Sequence, residues 1–248
     1  MNSSHEAPII LFDLDRTMMD TGRLSQAIKD YFDAAYAHLG VTSGSFARWT
    51  SEYVSRIGSR TLFNPSSLTE YWHTQLLALE QSKKVPSSDE LLEEFNRFIR
   101  DSVRDFLYTE TIRSLQQLLE MGCILCLFTQ GVETWQKLKF AHAQLTQYFD
   151  QDLQFVSDDK SDPEFLQQIM KRLAERGIED RNLWLVDDST HIINNALVEL
   201  PELRAFLVNR DRQPAVRGEY TASSQEVRVT QIRSLEEIVS AVRSIFSA

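Results

Sequence analysis

The sequence predicts an α/β protein: a doubly wound, mostly parallel sheet in a Rossmann-like core, interrupted by an inserted all-helical domain. A short apolar run at residues 8–12 is typical of a buried strand. Residues 23–106 then show only helical periodicity, whereas after Tyr108 short apolar runs alternate with helical patterns. Because such alternation is typical of parallel sheets, we assign residues 1–20 and 108–248 to the core and residues 21–107 to the insert.

Four further strands are expected in the core, each an apolar run followed by polar residues. They lie at residues 123–128, near 155–156, at 182–186 and at 203–208. Helices separate them: one ends at Gly122 and one lies near residues 133–148. A third is expected to start with a capping box of Ser161 and Glu164 and to run to Gly177, and the last follows Ser234.

The insert shows four apolar stripes with the spacing of helices. Gly40 and Gly58 end the first two, since glycine commonly follows the last helical turn. A capping box of Ser87 and Glu90 opens the fourth. The insert is therefore expected to be a helical bundle.

The composition excludes several classes of protein. With 248 residues, 42% of them hydrophobic and 25% charged, the chain is long enough and apolar enough for a globular core. A formal net charge of −10 opposes binding to nucleic acid or to an anionic membrane. Two cysteines, Cys123 and Cys126, are too few for a disulfide framework and belong to an apolar run, so we expect them in the core. No targeting segment is visible, which favours a cytoplasmic protein.

Polar residues follow four of the predicted strands at the point where each strand ends. Ligands of open parallel sheets bind at this edge. If the four ends converge, one cleft holds several carboxylates, a hydroxyl and an ammonium. The residues are Asp13 and Asp15 after the first strand, Thr129 and Gln130 at the second, Asp158, Asp159 and Lys160 after the third, and Asp187 and Asp188 at the fourth.

This set of side chains suits phosphoryl transfer. Carboxylates are hard oxygen ligands for Mg²⁺, and the metal would screen one carboxylate from the phosphate that it attacks. A second carboxylate can protonate the leaving oxygen and later activate water. The hydroxyl and the lysine can hold the negative charge of the transferred group. The alternative is that these acids are solvated turn residues or helix caps and that Lys160 is a surface lysine.

With these residues in this order, the sequence resembles the haloacid dehalogenase superfamily, in its phosphatase type with a helical cap after the first motif. The insert lies where helical caps of this family lie. An acid two places after the nucleophile is the phosphatase pattern and argues against dehalogenation. The four motifs are matched by Asp13-Leu-Asp15-Arg-Thr17, by Thr129, by Lys160 and by the pair Asp187-Asp188.

The resemblance implies a role for each matched residue. Asp13 would be the nucleophile that forms an aspartyl-phosphate, and Asp15 would be the general acid/base. Both would hold Mg²⁺, Asp15 through its backbone carbonyl, together with Asp188 and with Asp187 either directly or through water. Thr129 and Lys160 would bind phosphate, and Gln130, next to Thr129, is a further candidate for contact to the phosphate or the substrate.

Three features depart from the family pattern. Arg16 stands where glycine is commonest, which places a bulky cation beside the acid/base. Ser161 follows Lys160 in place of the common proline. Ile192 and Ile193 stand where the family often has Asn or Asp, so the groups that support the metal ligands differ here.

The cap is expected to supply contacts to the substrate. Arg60 lies in a position that resembles the family's specificity loop, with Arg23, Arg48 and Arg56 as rivals. The alternative is that these arginines are solvated surface residues. The expected partner is a small phosphorylated metabolite, whose identity the sequence leaves open together with the oligomeric state.

Two other functions remain open. A phosphotransferase or mutase could use the same site to pass phosphate to a sugar hydroxyl. A non-catalytic binding protein could retain the fold. A receiver domain is excluded because its acidic pair would end the first strand, and the glycine-rich and nucleophile-elbow motifs of kinases, dinucleotide enzymes and α/β-hydrolases are absent from the sequence.

Overall fold

The computed structural model describes residues 7–58, 63–79, 84–178, 182–210 and 229–246. By their contacts, these residues form two compact units. One comprises the described residues of 1–19, 107–130 and 144–248, and the other those of 20–106 and 131–143. The division into a core of residues 1–20 and 108–248 and a cap of residues 21–107 stays a prediction. The helical unit also includes residues 131–143.

The first unit contains a parallel sheet, which confirms the predicted fold class. Its strand order is β3-β2-β1-β4-β5-β6, and every pairing is parallel. The strands are β1 (Ile9–Phe12), β2 (Ile124–Gln130), β3 (Gln154–Ser157), β4 (Leu183–Asp187), β5 (Arg204–Val208) and β6 (Val229–Ile232).

Strand β1 lies at the centre of this sheet, and all four of its residues are buried. Phe12 is in register with Leu127 of β2 on one side and with Val186 of β4 on the other. The chain order therefore reverses at β1, which is the point where open parallel sheets form their binding crevice. Asp13, the next residue, starts the polar edge between the ends of β2 and β4.

Helices flank the sheet, and alternate strand residues face them because side chains alternate along a strand. Leu11, Leu185 and Ala205 belong to a buried apolar cluster that includes Ile169 and Ile193 from two of these helices. The helices of this unit are α5 (Thr111–Glu120), α7 (Pro163–Glu175), α8 (Thr190–Glu199) and α9 (Leu235–Phe246).

Three details of the first unit differ from the sequence predictions. Asp162, not Ser161, caps α7: its side chain accepts from the Glu164 N–H (2.9 Å), and Pro163 takes the first helical position. Helix α8 was not expected. Strand β6 was also missed, because its two central residues are exposed and it lacks the apolar run that marks a buried strand.

The second unit is helical, as expected, and its predicted capping box is present: Ser87 accepts from the Glu90 N–H and Glu90 accepts from the Ser87 N–H. Its core is aromatic, with Phe32, Phe46 and Trp72 in mutual ring contact. The helices are α1 (Thr21–Ala35), α2 (Ser45–Ile57), α3 (Pro65–Leu79), α4 (Ser88–Ser102) and α6 (Glu133–His142).

Helix α6 is shorter than the predicted span of 133–148, since it stops at His142. Both cysteines are buried and unpaired, as expected. None of the helices in the described ranges combines the length and the apolar character that a membrane span requires.

Candidate active site

A tight loop after β1 carries the first motif. Its start is fixed because the Asp13 N–H donates to the Val186 carbonyl (3.0 Å). The Met18 and Met19 N–H groups both donate to the Leu14 carbonyl (3.0 Å each), which folds the chain back. Arg16, at the tip, has a φ of 63°, in the left-handed region. Glycine adopts this conformation without steric cost, which is a physical reason for glycine to suit this position.

Lys160 lies between two aspartates from different strands. Its ammonium donates to Asp13 Oδ1 (2.6 Å) and to Asp187 Oδ2 (2.5 Å). The Lys160 residue is 4% exposed, and its Nζ also lies 4.9 Å from the centre of the Phe128 ring. The ammonium therefore joins the ends of β1 and β4 to the loop after β3.

Asp187 is held at both of its oxygens. The Ser189 N–H donates to Oδ1 (2.8 Å), while Lys160 donates to Oδ2. Ser189 also caps α8 through its hydroxyl. At Asp13 only Oδ1 is engaged: within the described residues, Oδ2 accepts no hydrogen bond.

Asp188 completes an acidic group with Asp13 and Asp187. One oxygen from each of the three carboxylates lies within 4.8 Å of the others. Asp188 also forms an ion pair with Arg16, whose Nε lies 3.3 Å from Asp188 Oδ2. The sequence prediction that these acids converge is thus met in the geometry.

Burial and the neighbouring charges shift the pKa values of Asp13, Asp188 and Lys160. Burial raises the pKa of Asp13 to about 8; Asp187 and Asp15 add to the rise and the Lys160 ammonium opposes it. Burial, with the neighbouring Asp187, also holds the pKa of Asp188 above its usual value, against the effect of Arg16. Burial alone would lower the pKa of Lys160, but Asp13 and Asp187 hold it above the ordinary range. Within the described residues, the cations that pair with these three carboxylates are Lys160 and Arg16.

These residues fit a divalent cation. The three carboxylates offer hard oxygen atoms, the ligands that magnesium takes, at a spacing that one ion can bridge. Asp15 also lies close enough to raise the pKa of Asp13 and Asp188. The buried Lys160 ammonium and the exposed Arg16 guanidinium leave the three carboxylates with excess negative charge, which a cation would offset.

Two buried hydroxyls belong to the same motifs. Thr17 and Thr129 are both fully buried, and neither Oγ1 has a hydrogen-bond partner among the described residues. A buried polar atom without a partner is costly unless a ligand or water satisfies it. Thr129 stands next to last in β2, so its hydroxyl suits the predicted contact to a phosphate oxygen.

Gln130 has a function that the sequence did not suggest. Its amide nitrogen donates to the Asp158 carbonyl (2.9 Å), and its Oε1 accepts from the Lys160 N–H (3.4 Å). Gln130 thus links the end of β2 to the loop that carries Lys160. Its expected contact to phosphate stays a prediction. Asp158 and Asp159 are exposed, in line with solvated loop residues.

Arg210 is a residue that the sequence analysis missed. It follows β5, and its guanidinium donates to the Thr17 carbonyl (2.7 Å) and to Glu110 Oε1 (2.5 Å) while lying 3.5 Å from the centre of the Tyr108 ring. Arg210 therefore anchors the end of the first motif loop to the start of α5. The sequence does carry a signal for Arg210, since it follows the end of the fifth predicted strand, whereas the predicted site comprised residues at the ends of the first four strands.

The remaining sequence candidates are placed as follows. Ile192 and Ile193 belong to α8, and their apolar side chains are buried in the cluster with the strand residues, so they pack in the core instead of donating hydrogen bonds to the metal ligands. Arg23 donates to the Asp105 carbonyl (2.8 Å), and Arg56 lies over the Tyr71 ring. Arg60 lies outside the described residues, so its expected contact to substrate stays a prediction.

Comparison with known proteins identifies a family. A family model described as haloacid dehalogenase-like hydrolase matches residues 8–193. No curated protein matches the sequence significantly.

Solved structures match over nearly the whole chain. A HAD-hydrolase of Bacillus subtilis, bound to magnesium, is 18% identical with a TM-score of 0.64, covering 96% of this chain and 99% of its own. A HAD phosphatase of Thermococcus onnurineus is 24% identical with a TM-score of 0.56, covering 95% and 97%. An L-2-haloacid dehalogenase of Xanthobacter autotrophicus is 16% identical with a TM-score of 0.55, covering 95% and 98%. At these identities the likeness shows the fold alone.

The Glu110–Arg210 pair predicts a pH dependence of stability. Burial would raise the pKa of Glu110, but hydrogen bonds from Arg210 and from backbone N–H groups hold it below its usual value. Stability from this pair is therefore present above the usual pKa and is lost as the pH falls through the lower folded value. In urea unfolding near neutral pH, Glu110→Gln should lower the free energy of unfolding by about 1–2 kcal/mol. The deficit should shrink towards zero below about pH 3; a deficit that stays constant with pH would contradict the assignment.

Proposed function

The chain belongs to the haloacid dehalogenase-like hydrolase family, and on that premise we propose that it is a magnesium-dependent phosphatase acting on a small phosphorylated metabolite. The observation that carries the proposal is the arrangement around Lys160. Its ammonium holds Asp13 Oδ1 and Asp187 Oδ2 and leaves Asp13 Oδ2 without a hydrogen bond among the described residues. A fixed carboxylate with one unengaged oxygen is suited to nucleophilic attack.

The chemistry begins at Asp13. Oδ2 attacks the phosphorus of the ester, and the bond from phosphorus to the leaving oxygen breaks, which forms an aspartyl-phosphate. Asp15 gives its proton to the leaving oxygen as the alcohol departs. Asp15 then takes a proton from a water molecule, which attacks the phosphorus, releases inorganic phosphate and restores Asp13.

The surrounding residues position these groups. As negative charge spreads over the phosphoryl oxygens, Lys160 supplies positive charge and the Thr129 hydroxyl supplies a hydrogen-bond donor. Asp13, Asp187 and Asp188 would hold magnesium, with the Asp15 carbonyl as a further ligand. When bound, the cation neutralises negative charge between the nucleophile and the phosphate.

Phosphatase chemistry is favoured over dehalogenation by Asp15. Departure of an alcohol from phosphorus needs a proton, whereas halide leaves as an anion and needs none. A carboxyl two residues after the nucleophile supplies that proton, and Asp15 lies close enough to Asp13 to raise its pKa.

Substitution of the nucleophile tests the proposal. Asp13→Asn keeps the shape of the side chain but removes the attacking charge, so turnover of phosphate esters with magnesium should fall by at least about a thousandfold. The matched control is Asp158→Asn, at an exposed acid after β3, which should retain wild-type activity. Near-normal turnover in Asp13→Asn would exclude an aspartyl-phosphate at this residue.

A second prediction separates Asp15 from Asp13. Asp15→Asn removes the proton donor, so hydrolysis of an alkyl phosphate should fall by about 10²–10⁴. Nitrophenyl phosphate has a leaving group that needs little protonation. The fall in kcat that Asp15→Asn causes should therefore be much smaller for this ester than for the alkyl phosphate. Equal losses on both esters would count against Asp15 as the general acid.

A third prediction concerns the metal. Magnesium that binds the folded acidic group and not the unfolded chain should add about 2.7 kcal/mol at a hundredfold excess over Kd. For a chain of this size, that is a rise in Tm of about 5–10 °C. Asp188→Ala should abolish most of the rise, whereas Glu199→Ala, at an exposed acid at the end of α8, should keep it. An unchanged rise in Asp188→Ala would mean that the metal binds elsewhere.

A further inference from the structure

Arg16 is a cation at the active site to which the proposed reaction gives no role. It lies between Asp15 and Thr17, at the tip of the first motif loop, and its side chain is 67% exposed. Its Nε is 3.3 Å from Asp188 Oδ2. Its backbone N–H donates to the Met19 carbonyl (2.7 Å), so the loop holds the residue in place.

The backbone at Arg16 is in a conformation that disfavours arginine. A φ of 63° lies in the left-handed region, which residues with a Cβ adopt at a cost and glycine adopts freely. No backbone requirement therefore calls for arginine at this position. An outlier of this kind directs attention to what the side chain does.

Among the three clustered carboxylates, Asp188 is the one that the buried lysine does not bind. Lys160 donates to Asp13 and Asp187, and Asp187 is also fixed by the Ser189 N–H. For Asp188, the ion pair that the structure shows within the described residues is the one with Arg16. Arg16 thus supplies the charge compensation at the most accessible ligand of the group.

We propose that Arg16 is an internal counter-cation that competes with the divalent cation for Asp188 and thereby sets the affinity of the site for magnesium. This inference rests on the proposed function, since it takes Asp188 as a metal ligand. A guanidinium and a divalent cation at one carboxylate repel each other. The metal must therefore displace Arg16 from Asp188 or bind while the nearby guanidinium charge repels it. Once the guanidinium has moved off Asp188 to about 6–10 Å from the ion in water, this repulsion weakens metal binding by about threefold to tenfold.

Calorimetric titration of the full-length, metal-free protein with magnesium at low ionic strength tests this. Arg16→Gln removes the charge and keeps a long side chain in the same backbone conformation; Arg16→Gly removes the charge and also relieves the backbone; Arg16→Lys keeps the charge. Both neutral variants should bind magnesium about threefold to tenfold more tightly than the wild type, and Arg16→Lys should stay near the wild-type Kd. The gain should shrink at high salt, because an exposed charge is screened.

Three results would overturn the inference, and they have different meanings. Unchanged affinity in Arg16→Gln and Arg16→Gly, with magnesium bound by every variant, would remove Arg16 from metal binding and leave the proposed function intact. Tighter binding in Arg16→Gly alone would assign the effect to the backbone and not to the charge. No binding in any protein, the wild type included, would reject the metal site of the proposed function itself.

Discussion

The arrangement of the candidate site depends on how the buried carboxylates at one sheet edge are compensated. Asp13 and Asp187 are almost fully buried at the ends of adjacent strands, where two unpaired negative charges would be strongly unfavourable. The Lys160 ammonium, itself buried, donates to both and holds them in place. The Lys160 ammonium and the exposed Arg16 together do not balance Asp13, Asp187 and Asp188. The excess negative charge suits the group to a divalent cation, which can in turn bind an anionic substrate.

The topology of the sheet makes this compensation possible between residues far apart in the sequence. Because β1 lies between β2 and β4, the residues that follow or end these strands meet at one edge. Lys160 reaches that edge from the loop after β3, and Gln130, at the end of β2, holds that loop through the Asp158 carbonyl and the Lys160 N–H. Arg210, beyond β5, fixes the Thr17 carbonyl in the first motif loop. Packing of the apolar strands thus determines the geometry of the polar site.

Much of this site could be predicted from the sequence because strand ends are marked by a change from apolar to acidic residues. That signal located Asp13, Lys160, Asp187 and Asp188, and the parallel topology predicted that they meet. The sequence did not show which carboxylates the lysine would join, because this depends on side-chain geometry.

Other features have no local signal in the sequence, or have a sequence pattern that led to a wrong prediction. Strand β6 is exposed at its centre and carries no apolar run. At α7 the predicted capping box placed the cap at Ser161, whereas the next residue, Asp162, is the one that accepts from the helix. The ion pair of Arg16 with Asp188 joins two strand ends and could not be read from either alone.

The central claim is that Asp13, held by Lys160 with one oxygen unengaged, is the group that takes the phosphoryl group. The most direct test is to mix the protein with magnesium and a phosphate ester, quench in acid, reduce any aspartyl-phosphate with borohydride and map the peptides by mass spectrometry. The account predicts homoserine at position 13 and at no other aspartate. Homoserine at another position, or continued turnover with residue 13 unmodified, would contradict it.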